Sequence, residues 1–257
     1  SIHNEGRTSR SVIEQARRTI AEQLGASVGE IFFTSGGSES NNMALKCAVR
    51  DLGVERIISS PLEHHCVLHS LDALQQQNGI ALSHLRVKET GQIDMEHLEE
   101  LLSNSDQKTL VSLMYANNEI GTMLDLEAVG SLCATYGAYF HSDTVQTIGY
   151  YPIDVQRAGV HFITGSGHKF HGPKGVGFIY INHAAMWQPF IDGGAQERNM
   201  GGGTENMYGI LAMARALDLA EAEQTERRAQ IEAVRQYFAT QLKACFPEVV
   251  FQGTPFE

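Results

Sequence analysis

Lys169 and Asp143 each lie at the end of an apolar run of this 257-residue sequence, where a β-strand is predicted to stop. Lys169 follows Val160–Thr164 among glycine, serine and histidine residues, so its amine is available and nearby backbone amides are free to bind an anion. A carboxylate buried at Asp143 would be costly unless it met a cation, although a helix-capping aspartate is the alternative. An amine, a buried carboxylate and an anion cradle are what pyridoxal 5′-phosphate needs from a protein.

The glycine-rich segment Thr34–Ser40 joins a predicted strand to a predicted helix. Gly37 lets the backbone approach a ligand closely, and Ser38 adds a hydroxyl group near the first helical amides, which suits a phosphate. An ordinary glycine turn capped by Ser38 is the alternative. Thr204 follows a second glycine run, Gly201–Gly203, which is either a hinge or a phosphate-contacting tip that could serve a partner subunit's site.

Three other polar side chains are candidates for contacts with an aromatic ligand ring. His64 opens a predicted helix and could stack on the ring, whereas helix capping at the surface is the alternative. Asn118, in the pair Asn117–Asn118, could donate to a ligand oxygen or close a turn on its own backbone. Gln146, three residues after Asp143, could reach the phenolic oxygen of the ring.

Lys174 competes with Lys169 as the reactive amine, but Lys169 lies nearer the strand end and has His168 beside it. The spacing of His168 and His171 permits zinc binding, yet no third ligand is suitably spaced, so we predict no metal site. The eleven histidines still leave a cofactor-free scaffold or metal-binding module as an alternative of a different class.

The composition is that of an ordinary globular protein, with 42% hydrophobic residues and a net charge of −11. This charge argues against nucleic acid or an anionic membrane as the main partner. The four cysteines are scattered without metal-type spacing, which predicts reduced thiols and a cytoplasmic location. No apolar run reaches membrane-spanning length, and the polar segment Ser1–Arg10 does not resemble a signal peptide.

Apolar periodicity predicts strands that alternate with helices along the chain. The predicted strands are Ile31–Thr34, Arg56–Ser60, Ala81–Val87, Leu110–Met114, Ala138–His141, Val160–Thr164 and Val176–Ile181. The predicted helices are Thr8–Leu24, Ser38–Leu52, His64–Gln77, Asp94–Leu102, Leu126–Tyr136, Glu205–Ala222 and Glu226–Phe246. This pattern predicts an α/β fold with a mostly parallel sheet covered on both faces, whose ligand crevice lies at the carboxyl ends of the strands.

Taken together, these segments resemble the cysteine desulfurases of the class V, fold-type I aminotransferase group, the NifS/IscS-like enzymes. The matching segments, in the family's order, are Phe33–Asn41, Glu63–His64, Asn117–Gly121, His141–Gln146, Ser166–Gly175 and Gly203–Asn206. The resemblance implies a pyridoxal-phosphate-binding large domain of three αβα layers over residues 1–222. A linker helix and the start of a truncated, small α+β domain would occupy residues 223–257.

The family's pattern also implies a role for each candidate residue. Lys169 would bind the cofactor's aldehyde covalently and then move the substrate's Cα proton, while His64 would stack on the ring and relay protons. Asp143 would keep the ring nitrogen protonated, and Gln146 and Asn118 would contact the ring oxygen. The phosphate ligands would be Gly37, Ser38, Ser166 and His168, together with Thr204 from the other subunit of a homodimer.

The family removes sulfur from L-cysteine, yields L-alanine and keeps the sulfur as an enzyme-bound persulfide for Fe–S clusters and thiolated products. The resemblance therefore implies pyridoxal 5′-phosphate as cofactor and L-cysteine as substrate. An Fe–S scaffold or another sulfur-acceptor protein would be the partner. Selenocysteine lyase, or another class V lyase or aminotransferase, is the nearest alternative.

The sequence departs from the family's pattern in several places. Gly37–Ser38 replaces the commoner alanine–threonine pair, and Gly201 stands where many members carry arginine. The family's opening segment, its persulfide cysteine and its arginine for the substrate carboxylate find no counterpart here, so we interpret the chain as a fragment. We expect this piece to bind the cofactor weakly or only as a dimer, and to transfer sulfur very slowly or not at all.

Overall fold

Helices and strands alternate along the chain in the computed structural model, which describes residues 4–194 and 196–251. The helices are α1 (Asn4–Leu24), α2 (Gly37–Leu52), α3 (His65–Asn78), α4 (Met95–Ser103), α5 (Leu126–Thr135), α6 (Met207–Ala222) and α7 (Gln224–Cys245). The strands are β1 (Ile31–Thr34), β2 (Arg56–Ser59), β3 (Ala81–His84), β4 (Thr109–Ser112), β5 (Tyr139–Asp143), β6 (Phe162–Ser166) and β7 (Gly177–Ile181). None of the helices described is both long enough and apolar enough to cross a bilayer.

The strands form one seven-stranded sheet in the order β1-β7-β6-β5-β4-β2-β3. Neighbouring strands from β6 to β3 run parallel, whereas β7 runs antiparallel to both of its neighbours, β6 and β1. The predicted, mostly parallel sheet is therefore confirmed. Because β1 runs in the same direction as β6, the carboxyl ends of β1, β2, β4, β5 and β6 all meet at one edge.

Buried side chains alternate between two hydrophobic clusters, one on each face of the sheet. On β6, Phe162 packs in the cluster that contains Leu45 of α2. The next residue, Ile163, packs in the cluster that contains Ile20 of α1. Both strand residues are fully buried, so the sheet is the middle of three layers, as predicted.

Two strands extend further toward the site edge than predicted. β5 ends at Asp143 rather than His141, and β6 ends at Ser166 rather than Thr164. The ladder continues through these polar residues, since Asp143 pairs with Thr164. Polar side chains lower β-propensity but are tolerated where they face a crevice and form hydrogen bonds, which a sequence pattern alone does not show.

The edge strand and one helix start also differ from the prediction. β3 stops at His84 instead of Val87, because this strand has a neighbour on only one side; Val87 forms an isolated bridge with Ile93. Helix α3 begins at His65, and His64 is its N-cap residue. These differences leave the order and type of the elements unchanged.

Helices α6 and α7 meet at the position predicted for the domain boundary. α6 packs along α1, whereas the residues that α7 buries are Gln224 and Ala239. The division at residues 222 and 223 stays a prediction.

Gly130 of α5 offers a test of how this helix packs. A Cβ atom added there would lie 1.9 Å from the carbonyl oxygen of Ala158, in the segment before β6. Backbone cannot rotate away as a side chain can, so we expect Gly130→Ala to lower the free energy of unfolding by about 1–3 kcal/mol or more. Urea denaturation with a constant m-value would measure the loss.

Gly29→Ala is the matched control for this substitution. The nearest heavy atom to a new Cβ at Gly29 is Nη1 of Arg198, at 3.8 Å, so we expect a change within about 0.5 kcal/mol. Equal stability of the two variants would contradict the packing of α5 described above.

Candidate functional site

The edge at which the parallel strands end contains a cavity of about 240 Å³. All of the predicted cofactor-binding residues except Thr204 line it, namely Gly37, Ser38, His64, Asn118, Asp143, Gln146, Ser166, His168 and Lys169. These residues come from separate segments of the chain. The shared direction of the strands therefore brings them together, as expected for a ligand crevice in a parallel sheet.

Asp143 is the buried acid of this cavity. Its Oδ2 accepts a hydrogen bond from Nδ2 of Asn41 at 2.7 Å, and its Oδ1 accepts one from the backbone N–H of Val145 at 3.0 Å. Burial raises the pKa of Asp143, while these two hydrogen bonds and the nearby imidazole of His64 act in the opposite direction. No cationic side chain forms a salt bridge with Asp143 within the described ranges.

A second part of the cavity has the properties of an anion cradle. Gly37 and Ser38 form the first turn of α2, where backbone N–H groups lack intrahelical acceptors. Ser166 Oγ lies 3.0 Å from Nδ1 of His168, so both side chains are held at this end. A Cβ atom at Gly37 would lie 2.7 Å from Cγ2 of Val145, so a larger residue would require the Val145 side chain to shift.

The two candidate lysines occupy different places. Lys169, in the 3₁₀ turn Gly167–Phe170 after β6, lines the cavity and is half-buried. Lys174 lies at an adjoining opening, beside Ser166 and His168. Lys169 therefore lines the same cavity as the buried carboxylate, whereas Lys174 lines the adjoining opening beside the anion cradle.

His64 caps a helix and also lines the cavity, while its predicted stacking on a ligand ring stays a prediction. Its Nδ1 accepts a hydrogen bond from the backbone N–H of Cys66 at 3.2 Å, which makes His64 the cap of α3. The same imidazole lines the cavity. Capping fixes the backbone of His64 and so places its ring where a ligand would lie.

The two asparagines after β4 have different tasks. Asn117 Oδ1 accepts hydrogen bonds from the backbone N–H groups of Glu119 and Ile120 at 2.8 and 3.0 Å, so Asn117 closes the turn. Asn118 lines the cavity, and its Nδ2 donates to Oε1 of Glu119 at 2.5 Å. The turn made by Asn117 is what directs Asn118 toward the site.

Thr204 does not reach this cavity within its own chain. It lines a different cavity of about 270 Å³, together with Phe33, Glu197 and the glycine run Gly201–Gly203. Its predicted phosphate contact would have to come from another subunit, and stays a prediction.

Sequence reasoning missed several residues that line the cavity or hold its acid. Asn41, Cys66, Met114 and Val145 all line it. His141 supports it from behind, because its Nε2 lies 3.1 Å from Oδ1 of Asn41. Asn41 and His141 belong to segments on which the family resemblance rests. The only further sequence signal was that each is a polar residue near apolar ones, which requires a hydrogen-bond partner but does not identify it.

The histidines of the described residues do not assemble a metal site. No group of three or more histidine, cysteine, aspartate or glutamate side chains with metal-binding geometry occurs in residues 4–194 and 196–251. His168 pairs with Ser166, whereas His171 lies 3.4 Å from the hydroxyl group of Tyr150. The metal-binding alternative thus gains no ligand set from the described residues.

The residues present fit pyridoxal 5′-phosphate. A buried, ionised carboxylate that pairs with no cationic side chain of the described residues needs a positive partner, which a protonated pyridine nitrogen would supply. An anion cradle and a lysine amine line the same cavity. The site therefore offers one group for each end of the cofactor and one for its aldehyde.

Comparisons with known proteins agree with this geometry. The sequence pattern of the family described as Aminotransferase class-V matches residues 1–255. Cysteine desulfurase IscS of Dictyoglomus turgidum is 40% identical over 255 residues, which cover 98% of this chain and 64% of that protein. A solved structure titled NifS-like protein has a TM-score of 0.90 at 37% identity, covering 95% of this chain and 67% of that one. The structure titled SspA in complex with cysteine has a TM-score of 0.80 at 34% identity, covering 91% and 69%.

The architecture is that of the fold-type I pyridoxal-phosphate-dependent transferases. The chain belongs to the class V aminotransferase family. It spans 64% of the length of the IscS relative.

Glu63 is a second buried acid, next to the cofactor cavity. Its Oε1 accepts a hydrogen bond from the backbone N–H of Met114 at 2.9 Å, and its Oε2 has no partner among the described residues. Burial raises the pKa of Glu63 well above its usual value of 4.5, and the charge of Asp143 adds to this effect. The folded protein therefore binds this proton more tightly than the unfolded chain does.

We expect this proton to make stability depend on pH. A raised folded-state pKa means that the free energy of unfolding falls as pH rises above about 4.5, with a slope of up to about 1.4 kcal/mol per pH unit. Glu63→Gln keeps an acceptor for Met114 and removes the titration. The variant should match the parent near pH 4 and exceed its stability at pH 8, as measured by denaturant unfolding. Glu22→Gln, at an exposed position of α1, should have the same free energy of unfolding as the parent at both pH values. If the stability of Glu63→Gln changed with pH in the same way as that of the parent, the expectation would be disproved.

Proposed function

We propose that this chain binds pyridoxal 5′-phosphate and belongs to a cysteine desulfurase. The reaction would transfer the sulfur atom of L-cysteine to an enzyme thiol, which becomes a persulfide, and protonation would leave L-alanine. The observation that carries the proposal is the single cavity that unites the Lys169 amine, the Asp143 carboxylate and the anion cradle at Gly37. The names of the relatives support this activity.

Each end of the cavity has a defined task. When bound, pyridoxal 5′-phosphate supplies a ring that stabilises negative charge developing on the substrate's α-carbon. Asp143 would hold the proton on the ring nitrogen by its negative charge. Lys169, which lines the cavity as a half-buried amine, would be the residue that holds the aldehyde end through Nζ and takes up the substrate's α-proton at the same atom.

The remaining residues orient and enclose the reactants. The phosphate would be held by Gly37, Ser38, Ser166 and His168, which line the cavity. His64 would stack on the ring and relay protons. Gln146 would donate to the ring oxygen, and Asn118 would bind near that oxygen and the substrate carboxylate. Lys169 and His64 are thus the proposed catalytic residues.

The thiols of Cys47 and Cys133 are unsuited to carry the persulfide. Burial raises the pKa of each to about 12, so almost no thiolate forms at neutral pH. Cys66 also has a raised pKa because of burial, with a contribution from Asp143. The sulfur carrier is therefore proposed to be a cysteine other than these three.

The assembly and setting of the protein are further proposals. Thr204 would reach the phosphate of the other subunit in a homodimer, which accounts for its place outside the cavity of its own chain. An Fe–S scaffold or another sulfur acceptor would take the persulfide sulfur, in pathways of Fe–S cluster or thio-cofactor assembly. A cytoplasmic location is in keeping with the four free thiols.

Lys169→Ala tests the cofactor assignment directly. Borohydride should bleach the yellow, cofactor-loaded protein and fix the label on Lys169, because this amine lines the cavity. The variant should lose the absorption band and at least about 1,000-fold of any turnover, as expected when a nucleophile is removed. Peptide mapping by mass spectrometry identifies the labelled residue.

Lys174→Ala is the matched control, since Lys174 lies outside the cavity at the adjoining opening. It should keep the colour and the label on Lys169. A label on Lys174, or a colourless parent protein with stoichiometric zinc, would refute the assignment. Release of alanine from L-cysteine, compared with L-selenocysteine, separates a desulfurase from the selenocysteine lyase alternative.

A further inference from the structure

Asn41 lines the cavity and connects two fully or almost fully buried ionisable groups, Asp143 and His141. Its Nδ2 donates to Oδ2 of Asp143 at 2.7 Å. Its Oδ1 lies 3.1 Å from Nε2 of His141 and accepts a hydrogen bond from Oγ1 of Thr164 at 3.0 Å. His141 in turn lies 2.9 Å, through Nδ1, from Oγ of Ser112. Four residues thus support one carboxylate through an unbroken chain of hydrogen bonds.

Only one direction of donation satisfies this chain. An ionised Asp143 accepts and cannot donate, so Asn41 must present its NH₂ group to it. The carbonyl oxygen of Asn41 then faces His141 and Thr164, and both must donate. A neutral imidazole carries one N–H, so His141 must hold its proton on Nε2 and accept from Ser112 at Nδ1.

The burial of His141 supports this assignment. The side chain is 0% exposed, and desolvation lowers the pKa of His141 to about 3, so the imidazole is neutral at neutral pH. A charged His141 could donate from both nitrogens, which would break the contact with Ser112 unless its hydroxyl turned. The neutral state therefore keeps the chain in a single arrangement.

We propose that Asn41 is a positioning residue that aligns Asp143 as an anion toward the ring nitrogen of the cofactor, and that neutral His141 fixes the orientation of the Asn41 amide. This inference rests on the proposed function for the identity of the ligand, but the hydrogen-bond chain belongs to the protein alone. Asn41 acts through Asp143, to which its Nδ2 donates.

Other titratable groups also surround Asp143. Glu63 and Cys66 each interact electrostatically with it, and a negative charge on either would disfavour its ionised form. His64 favours that form when it is protonated, and Lys169 lines the same cavity. Asn41 differs from all of them because it contributes an oriented dipole whose strength does not change with pH.

Asn41→Asp is the sharpest test, because it changes one NH₂ group to oxygen with almost no change in shape. Two carboxyl groups would then face each other and share a proton, so the upper apparent pKa of the pair should rise by about two units relative to Asp143 in the parent. Infrared titration of the cofactor-free full chain measures this, with the Asp143 band assigned by its loss in Asp143→Asn. Pyridoxal 5′-phosphate should bind at least about tenfold more weakly at pH 7, the equivalent of one pKa unit.

Asn42→Asp is the matched control, since it adds the same charge at the next residue, where the side chain bonds the carbonyl oxygen of Ser38. It should leave the Asp143 titration near that of the parent. Should Asn41→Asp fail to fold, Asn41→Ala removes the NH₂ donor to Asp143 without adding a charge and should raise the Asp143 pKa in the same direction by a smaller amount. An Asp143 titration that is the same in Asn41→Asp and Asn42→Asp would overturn the proposal.

The parent protein provides a readout that needs no substitution. Nitrogen-15 NMR of histidine-labelled protein should show His141 neutral, with its proton on Nε2, down to about pH 4, given a pKa of about 3. A proton on Nδ1, or a charged imidazole at pH 6, would refute the donor chain. If the parent failed to bind pyridoxal 5′-phosphate, the proposed function would fall, while these cofactor-free measurements would still decide the role of Asn41.

Discussion

Asp143 ends a central strand of the sheet at a position where its carboxylate is 5% exposed and meets no cationic side chain within the described residues. An isolated charge in such a place would cost several kcal/mol, and the usual response is a raised pKa, the direction found here. Its two hydrogen bonds recover part of that cost. The site is therefore arranged around an incomplete ion pair, whose missing half a cationic ring nitrogen would supply.

The sheet topology explains how so many separate segments reach this acid. Parallel strands β2, β4, β5 and β6 all end at one edge, and each is followed by a loop or a helix start that carries a polar side chain. β7 runs the other way and lets β1 deliver the first turn of α2 to the same edge. Because helices cover both faces of the sheet, the strands consist mainly of apolar residues. Polar side chains therefore accumulate where the strands end.

The sequence predicted the layers, the succession of helices and strands along the chain, and most of the residues that line the cavity. Each of these depends on local periodicity or on residues at strand ends. The sequence did not show which of Asn117 and Asn118 closes the turn and which lines the cavity, since both residue types can do either. Only the turn geometry separates the two roles. It overlooked Asn41, whose partner Asp143 is 102 residues away. Asn41 lies three residues before Ala44 on the buried stripe of α2, and a polar residue on such a stripe must find a partner that periodicity does not identify.

The use of neutral donors behind Asp143 has a chemical reason. An arginine or lysine paired with this carboxylate would stabilise it strongly, but would also cancel the negative charge that a ring nitrogen requires to stay protonated. Amide, hydroxyl and neutral imidazole groups stabilise the anion by oriented dipoles and leave its net charge intact. His141 can serve in this way only while burial keeps it uncharged, and its 0% exposure provides that condition. The burial that makes Asp143 costly is thus also what keeps its supporting chain neutral.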